Sequence, residues 1–158
     1  MASWQIGNSV LEIVQGDITE QDTDAIVNAA NSRLAPGGGV CGAIHRAAGP
    51  KLAKACARIG GCPIGGVRVT EGFNLKAKYV FHAVGPVYQG VPEDAELLAS
   101  CYRESLKKAV EMGLTSISFP AISTGIFGYP IREAAEVALN SIAESVTSSC
   151  GRPNIGQA

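Results

Sequence analysis

Two glycine-bearing turns, each set between an apolar run of strand character and a periodic run of helix character, constrain this chain more than any other feature. The first runs from Asn28-Ala29-Ala30-Asn31 into Pro36-Gly37-Gly38-Gly39-Val40-Cys41-Gly42, and the second is Ser123-Thr124-Gly125-Ile126-Phe127-Gly128-Tyr129-Pro130. A strand–turn–helix junction of this kind turns backbone N–H groups outward at the positive end of a helix, so it cradles a phosphate without lysine. Two such junctions in one small domain point to a diphosphate held from both sides.

The 158 residues give room for one domain with a real core. A hydrophobic share of 46% against 17% charged residues argues for a folded protein rather than a disordered one. The formal net charge of −1 excludes a general electrostatic attraction to nucleic acid or to an anionic membrane, so any anion site must be local. The amino terminus MASWQIGNSV has neither a basic region nor a sustained apolar run, and no segment approaches bilayer length, which predicts a cytoplasmic protein with no membrane partner. Cys41, Cys56, Cys62, Cys101 and Cys150 form no CxxC pair and read as reduced thiols, with no metal site and no cofactor expected.

Val10 to Gln15 reads as a strand ending at Gly16-Asp17-Ile18-Thr19, and Ala25-Ile26-Val27 as a second. Cys41, Ile44, Ala48, Leu52, Ala55 and Ile59 recur at helical spacing, interrupted by Gly49-Pro50, which predicts a kink or two helices. Val67–Thr70 and Tyr79–Val84 read as strands; a helix is expected from about Glu93 to Met112, stopped by Gly113; Thr115–Phe119 reads as a strand closed by Pro120. Pro130 suits the first turn of a helix to about residue 147. Alternating strands and helices predict a three-layer α/β architecture with its ligand at the carboxyl ends of the strands, where both glycine turns fall.

Gly37-x-Gly39-x-x-Gly42 matches the dinucleotide fingerprint, yet no Asp or Glu lies between Gly42 and Thr70 to hold a ribose, and no GKS or GKT completes a P-loop. Phe127, between two loop glycines, is poorly placed for a core and well placed to lie against a sugar. Asp17 has two open readings: a strand-ending turn, or an acceptor for an exocyclic amine such as that of adenine. Cys41 and His45, four residues apart, share one helical face. They form either an activated thiol with its base or a small first-turn residue beside a histidine that bonds the loop. His82, inside an apolar strand, is expected in the core.

Taken in order, Gly16-Asp17-Ile18-Thr19, Ala25 to Asn31, Gly37 to Gly49, His82-Ala83-Val84-Gly85-Pro86 and Phe119 to Pro130 closely resemble the macrodomain family, in its MacroD-like branch. The resemblance covers roughly residues 10 to 147. It implies a mixed sheet between helices and a cleft for ADP-ribose. Asp17 would accept from the adenine amine with the Ile18 backbone assisting. Gly38, Gly39, Val40 and Cys41 would line the first phosphate loop and Ser123, Thr124, Gly125, Ile126 and Phe127 the second, with Phe127 against the distal ribose and Asn31 on its hydroxyls.

The resemblance further implies hydrolysis of ADP-ribosyl esters, on Asp or Glu of mono-ADP-ribosylated proteins or in O-acetyl-ADP-ribose, by a water ordered between the ligand's phosphate and the first loop. Asn31, Cys41 and His45 are the catalytic candidates. Nucleic acid would be a partner only through ADP-ribosylated ends. The MacroD-like branch usually carries Asp where this chain has Cys41, which leaves open a non-catalytic ADP-ribose reader. The family also continues past its last helix into an inner strand and a further helix. No apolar run of that kind follows residue 147, so the expectation is a single domain over 1–147, a disordered tail over 148–158, and a sheet whose final strand is missing or replaced by Trp4–Gly7. A truncated, poorly stable domain is the third reading.

Overall fold

The computed structural model describes residues 2–147 and, for the backbone alone, 154–157. Strand β1 (Ala2–Ile6) turns through Gly7 into β2 (Ser9–Ile13); a single 3-10 turn (Ile18–Glu20) precedes β3 (Ala25–Ala30). Helices α1 (Gly39–Ala48) and α2 (Pro50–Ile59) follow, then β4 (Val67–Glu71), β5 (Tyr79–Val84), α3 (Pro92–Glu111), β6 (Ser116–Phe119), α4 (Ile131–Thr147) and β7 (Asn154–Gln157). The interruption at Gly49-Pro50 gives two helices rather than a kinked one. Gly49 at φ +89 ends α1, and Pro50, which has no N–H to leave unpaired, begins α2. At the end of α3, the Gly113 N–H bonds Val110 O and the Leu114 N–H bonds Ala109 O, a Schellman stop that needs the positive φ of Gly113.

All seven strands join one sheet in the order β1-β2-β7-β6-β3-β5-β4, parallel inside and antiparallel at both edges. Strand β7 occupies the inner position between β2 and β6, with Leu11 opposite Ile155 and Ile117 opposite Ile155 from the other side. This corrects the expectation of a missing final strand and of a disordered tail reaching through residue 157; the rest of that expected tail, 148–153 and 158, lies outside the described residues. Nor does Trp4–Gly7 fill an inner gap, because β1 is an edge strand paired only with β2.

Alternation along the central strands splits the core into two layers. Ala25, Val27, Phe81 and Ala83 point to one face and pack under Leu98, Tyr102 and Leu106 of α3 and Ala138 and Ile142 of α4. Ile26, Ala30, Val80 and Val84 point to the other and pack under Ile44 and Ala48 of α1 and Leu52 and Cys56 of α2. Strands β3 and β6 are neighbours, but the chain leaves β3 for the α1/α2 face and leaves β6 for the α4 face. Connections that depart to opposite faces leave a crevice between them at the strand ends. No helix among the described residues is long and apolar enough to cross a membrane.

Candidate functional site

That crevice is a cleft of about 590 Å³, walled by the segment after β3 on one side and the segment after β6 on the other, with Gly16, Asp17 and Ile18 closing one end. Among the described residues, Asp17 is the only charged side chain that lines it. An anion entering it therefore meets backbone dipoles and no lysine or arginine.

The first wall is the open end of α1. Gly38, in extended conformation, stands at its N-cap with no side chain to cap the helix, and the first turn holds no acidic residue. The N–H groups of Gly39, Val40 and Cys41 consequently have no partner, and all three residues line the cleft. Asn31 shapes the approach: its Nδ2 donates to Ala35 O at 2.8 Å and its Oδ1 accepts from Ala35 N–H at 3.0 Å. One amide hydrogen and one lone pair of Asn31 stay available to a ligand. Gly42 lets the loop lie tightly on the helix, since a Cβ there would sit 2.5 Å from Gly37 O.

The second wall is a turn held in tension. Ser123 has φ +67, a left-handed conformation unfavourable for a residue with a Cβ, and its buried Oγ has no hydrogen-bond partner. Tyr129 N–H bonds Ser123 O at 2.8 Å, Thr124 Oγ1 donates to Ala121 O at 2.7 Å and Gly128 N–H bonds Gly125 O at 3.0 Å. The N–H groups of Gly125, Ile126 and Phe127 are left without partners, in residues that line the cleft. Gly85 lies directly beneath, where a Cβ would stand 2.2 Å from Ser123 Oγ and 2.6 Å from Ile122 Cγ2. Ile126, 88% exposed, reaches across so that its Cδ1 comes within 3.9 Å of where a Gly38 Cβ would sit. The two walls thus face one another, and one flexible aliphatic side chain spans the gap.

Under the first wall lies a buried polar chain. Asn28 and His82 occupy facing positions of β3 and β5, on the α1/α2 side, and are almost wholly buried. Asn28 Nδ2 lies 3.1 Å from His82 Nδ1 and 3.7 Å from Cys41 Sγ. His82 Nε2 is 2.9 Å from Thr70 Oγ1, whose own hydrogen goes to Glu71 O at 3.1 Å. With the amide turned so that Nδ2 faces the ring, His82 Nδ1 accepts and Nε2 carries the proton, and Asn28 Oδ1 is left buried without a partner among the described residues. Burial, with the nearby His45 adding to it, pushes His82 down to about 4, so the ring is neutral near pH 7. Burial likewise pushes the Cys56 thiol, 3.7 Å from His82 Nε2, up to about 11. Cys41 itself is 6% exposed, lined up between Asn28 and Ala35 O, 3.7 Å from its Sγ.

At the far end, Asp17 Oδ1 accepts from Thr19 Oγ1 at 2.7 Å and Thr19 N–H at 2.9 Å; these bonds hold its exposed carboxyl below the usual range and leave Oδ2 to the cleft. Oδ1 thus closes a turn, and Oδ2 stays free for an acceptor role.

Asp17, Ile18, Asn31, Gly38, Gly39, Val40, Cys41, Ser123, Thr124, Gly125, Ile126 and Phe127 all line this one cleft. His45, a catalytic candidate in the sequence, is not among the lining residues. Four residues past Cys41 puts it a full turn deeper along α1, where burial lowers its basicity and both ring nitrogens lack a partner. Sequence reasoning missed Gly16, Ala29, Ala30, Ala43, Gly85, Pro120, Ala121 and Ile122, small or apolar residues that form the walls. It also missed Asn28 as the support of Cys41; the available signal was a lone amide inside the apolar run Ala25-Ile26-Val27-Asn28-Ala29-Ala30. Among the described residues no cluster of His, Cys, Asp and Glu could hold a metal ion.

The Macro domain family matches residues 27–138. A macro domain-containing protein of Chlorobaculum tepidum is 52% identical over 145 residues, spanning 91% of this chain and 84% of its own. An ADP-ribose glycohydrolase of Xenopus laevis is 51% identical over 145 residues, spanning 89% of this chain and 35% of that protein. Among solved structures, an Oceanobacillus iheyensis macrodomain with ADP matches at TM-score 0.94 and 44% identity, covering 99% of this chain and 85% of the other. A Trypanosoma brucei macrodomain in complex with ADP-ribose matches at TM-score 0.86 and 41% identity, covering 93% of this chain and 63% of the other.

Proposed function

The chain belongs to the Macro domain family, and from that premise we propose that it binds ADP-ribose and hydrolyses ADP-ribosyl esters, on Asp or Glu of mono-ADP-ribosylated proteins, in O-acetyl-ADP-ribose, or both. The observation that carries this reading is the facing pair of unpartnered N–H sets, Gly39 to Cys41 and Gly125 to Phe127, in a cleft without a cationic side chain. Donors already fixed by the fold need no reorganisation when a diphosphate enters, and a linear ligand with a diphosphate at its centre fits between two such walls. Asp17 Oδ2 then meets the adenine amine with the Ile18 N–H beside it, while Asn31 and Phe127 take the distal ribose. The solved relatives holding ADP and ADP-ribose, and the relative named as an ADP-ribose glycohydrolase, support the choice of ligand.

In the hydrolytic step a water sits between a diphosphate oxygen and the first loop. It adds to the ester at the distal ribose, the ester C–O bond breaks, and ADP-ribose leaves with a hydroxyl while the modified group leaves as a carboxylic acid. The ligand's own phosphate orients the water, and Asn31 holds the sugar in register with it.

A second reading, a non-catalytic reader, is favoured by one observation: the position beside that water is Cys41, whose thiol is buried against Asn28 and Ala35, and the only carboxylate among the described lining residues is Asp17 at the opposite end. Calorimetric titration with ADP-ribose tests the shared part, and absence of binding by folded protein removes both readings. Release of ADP-ribose from a glutamate-modified peptide separates them. If a missing carboxylate limits the rate, Cys41→Asp raises release by about tenfold or more; release undetectable in both proteins leaves the reader.

A further inference from the structure

We infer that a second cavity, beside the distal end of the cleft, takes a guanidinium or ammonium side chain of the polypeptide that carries the ADP-ribose; the inference rests on the proposed ligand and names its carrier. This cavity, about 440 Å³, opens between the start of α3 and the first half of α4. Tyr88, Val91, Asp94, Tyr129, Glu133 and Glu136 give it its chemistry, and no basic residue among those described lines it.

Three features point to a cation. Tyr88 and Tyr129 pack at 4.9 Å between ring centroids with planes tilted by 56°, presenting aromatic surface beside carboxylates. A cation within reach of such faces is attracted by the ring quadrupole. Second, Tyr129 is only 5% exposed, lines the cavity, and has no hydrogen bond at its hydroxyl; Tyr88 by contrast aims its hydroxyl at Glu133 Oε2, 3.5 Å away. The Tyr129 ring is buried while its oxygen keeps access to solvent, and a phenol oxygen with an unused acceptor lone pair suits an N–H donor. Third, among the described residues the exposed Glu133 and Glu136 carboxylates have no ion-pair partner, whereas Asp94 is already spent on the N–H groups of Gln89, Gly90 and Val91. A bare metal ion does not suit the place, because the described carboxylates do not converge on one point. A planar guanidinium or a long-stemmed ammonium does, with its apolar stem along Val91, which is 42% exposed.

The cavity is also wired to the ligand cleft. Tyr88 N–H donates to Phe127 O at 2.8 Å, so the loop that meets the distal ribose and the residue that walls the cavity are joined by one hydrogen bond. The modified side chain would leave the cleft at the distal ribose, which places its neighbouring residues on this side of the molecule.

The test uses two peptides carrying ADP-ribose through a hydrolysis-resistant amide, identical except for arginine or glutamine near the attachment point. The wild-type protein should bind the arginine peptide about tenfold tighter. The double substitution Glu133→Gln with Glu136→Gln should erase that preference while leaving affinity for free ADP-ribose the same, and Tyr129→Phe should reduce the preference. A preference that survives the double substitution, or no preference in a wild-type protein that binds ADP-ribose, overturns the inference. Should ADP-ribose itself fail to bind, the proposed function falls separately. The cavity is then judged with acetyl-arginine amide: shifts of the Tyr88 and Tyr129 ring resonances that vanish in the double variant support it, and their absence ends it.

Discussion

The two walls of the cleft offer the same chemistry, a row of free N–H groups, but they are built in opposite ways. The first is the uncapped start of α1, a regular element whose dipole already favours an anion, steadied by the Asn31–Ala35 clamp and resting on the buried Asn28–His82 pair. The second has no helix end at the free N–H groups; it is an irregular turn with Ser123 at φ +67, pinned against Gly85 over a mainly apolar layer. One nest is a by-product of secondary structure, the other is held in place by packing. The difference teaches where each is vulnerable: the first through its loop backbone and the polar groups below it, the second through side-chain volume beneath.

Substitutions of the tight glycines separate these vulnerabilities most strongly. Gly42→Ala would put a Cβ 2.5 Å from the Gly37 carbonyl, a backbone atom that can yield only if the first loop lifts off α1. We expect a destabilisation of ~2–3 kcal/mol and loss of ADP-ribose binding, by thermal unfolding and calorimetry. Gly85→Ala meets side-chain atoms, Ser123 Oγ and Ile122 Cγ2, that can shift in part. A smaller cost of ~1–2 kcal/mol is expected, with binding weakened rather than abolished. If the order is reversed, the second wall is the stiffer one and the comparison above is wrong.

Acid should distinguish the walls next. His82 lies beneath the first wall with its pKa lowered from 6.5 to about 4, chiefly by burial. The unfolded chain therefore takes up a proton as pH falls below 6.5 while the folded protein refuses it until about 4. This group's contribution is fully present above 6.5 and is lost through that window, to a total on the order of 3 kcal/mol. The free energy of unfolding measured between pH 7 and pH 4 should fall in wild type and fall less in His82→Gln. Equal slopes would mean that the imidazole is not held neutral by the fold. The smallest effect is expected at Ser123→Gly, which removes a left-handed strain and an unpartnered buried hydroxyl: a gain of up to ~1 kcal/mol in stability, read from denaturant unfolding.

Much of this arrangement was legible in the chain. Tyr79–Val84 was bounded residue for residue, and Gly49-Pro50 announced the break between α1 and α2, because continuous apolar runs and proline carry strong local signals. The cleft residues were legible because glycine clusters at strand–helix junctions have few other uses. Strand β7 was not. Asn154-Ile155-Gly156-Gln157 has a single apolar residue and a glycine, and it is a strand only because β2 and β6 supply partners on both sides, a tertiary cause with no local trace. Strand β1 was legible only as Trp4–Gly7, a candidate for the inner position; at the sheet edge, Ala2 to Gln5 are all exposed and carry no buried pattern. For His45, helical spacing from Cys41 predicts the shared face but not the depth at which the second residue sits.

The central claim, that two opposed backbone nests grip one diphosphate, is tested most directly by following the amide resonances of the protein during titration with ADP-ribose. The account predicts that the N–H signals of Gly39, Val40 and Cys41 and those of Gly125, Ile126 and Phe127 move together and saturate at the same ligand concentration. Movement of one set alone, or of neither while other amides respond, would contradict it.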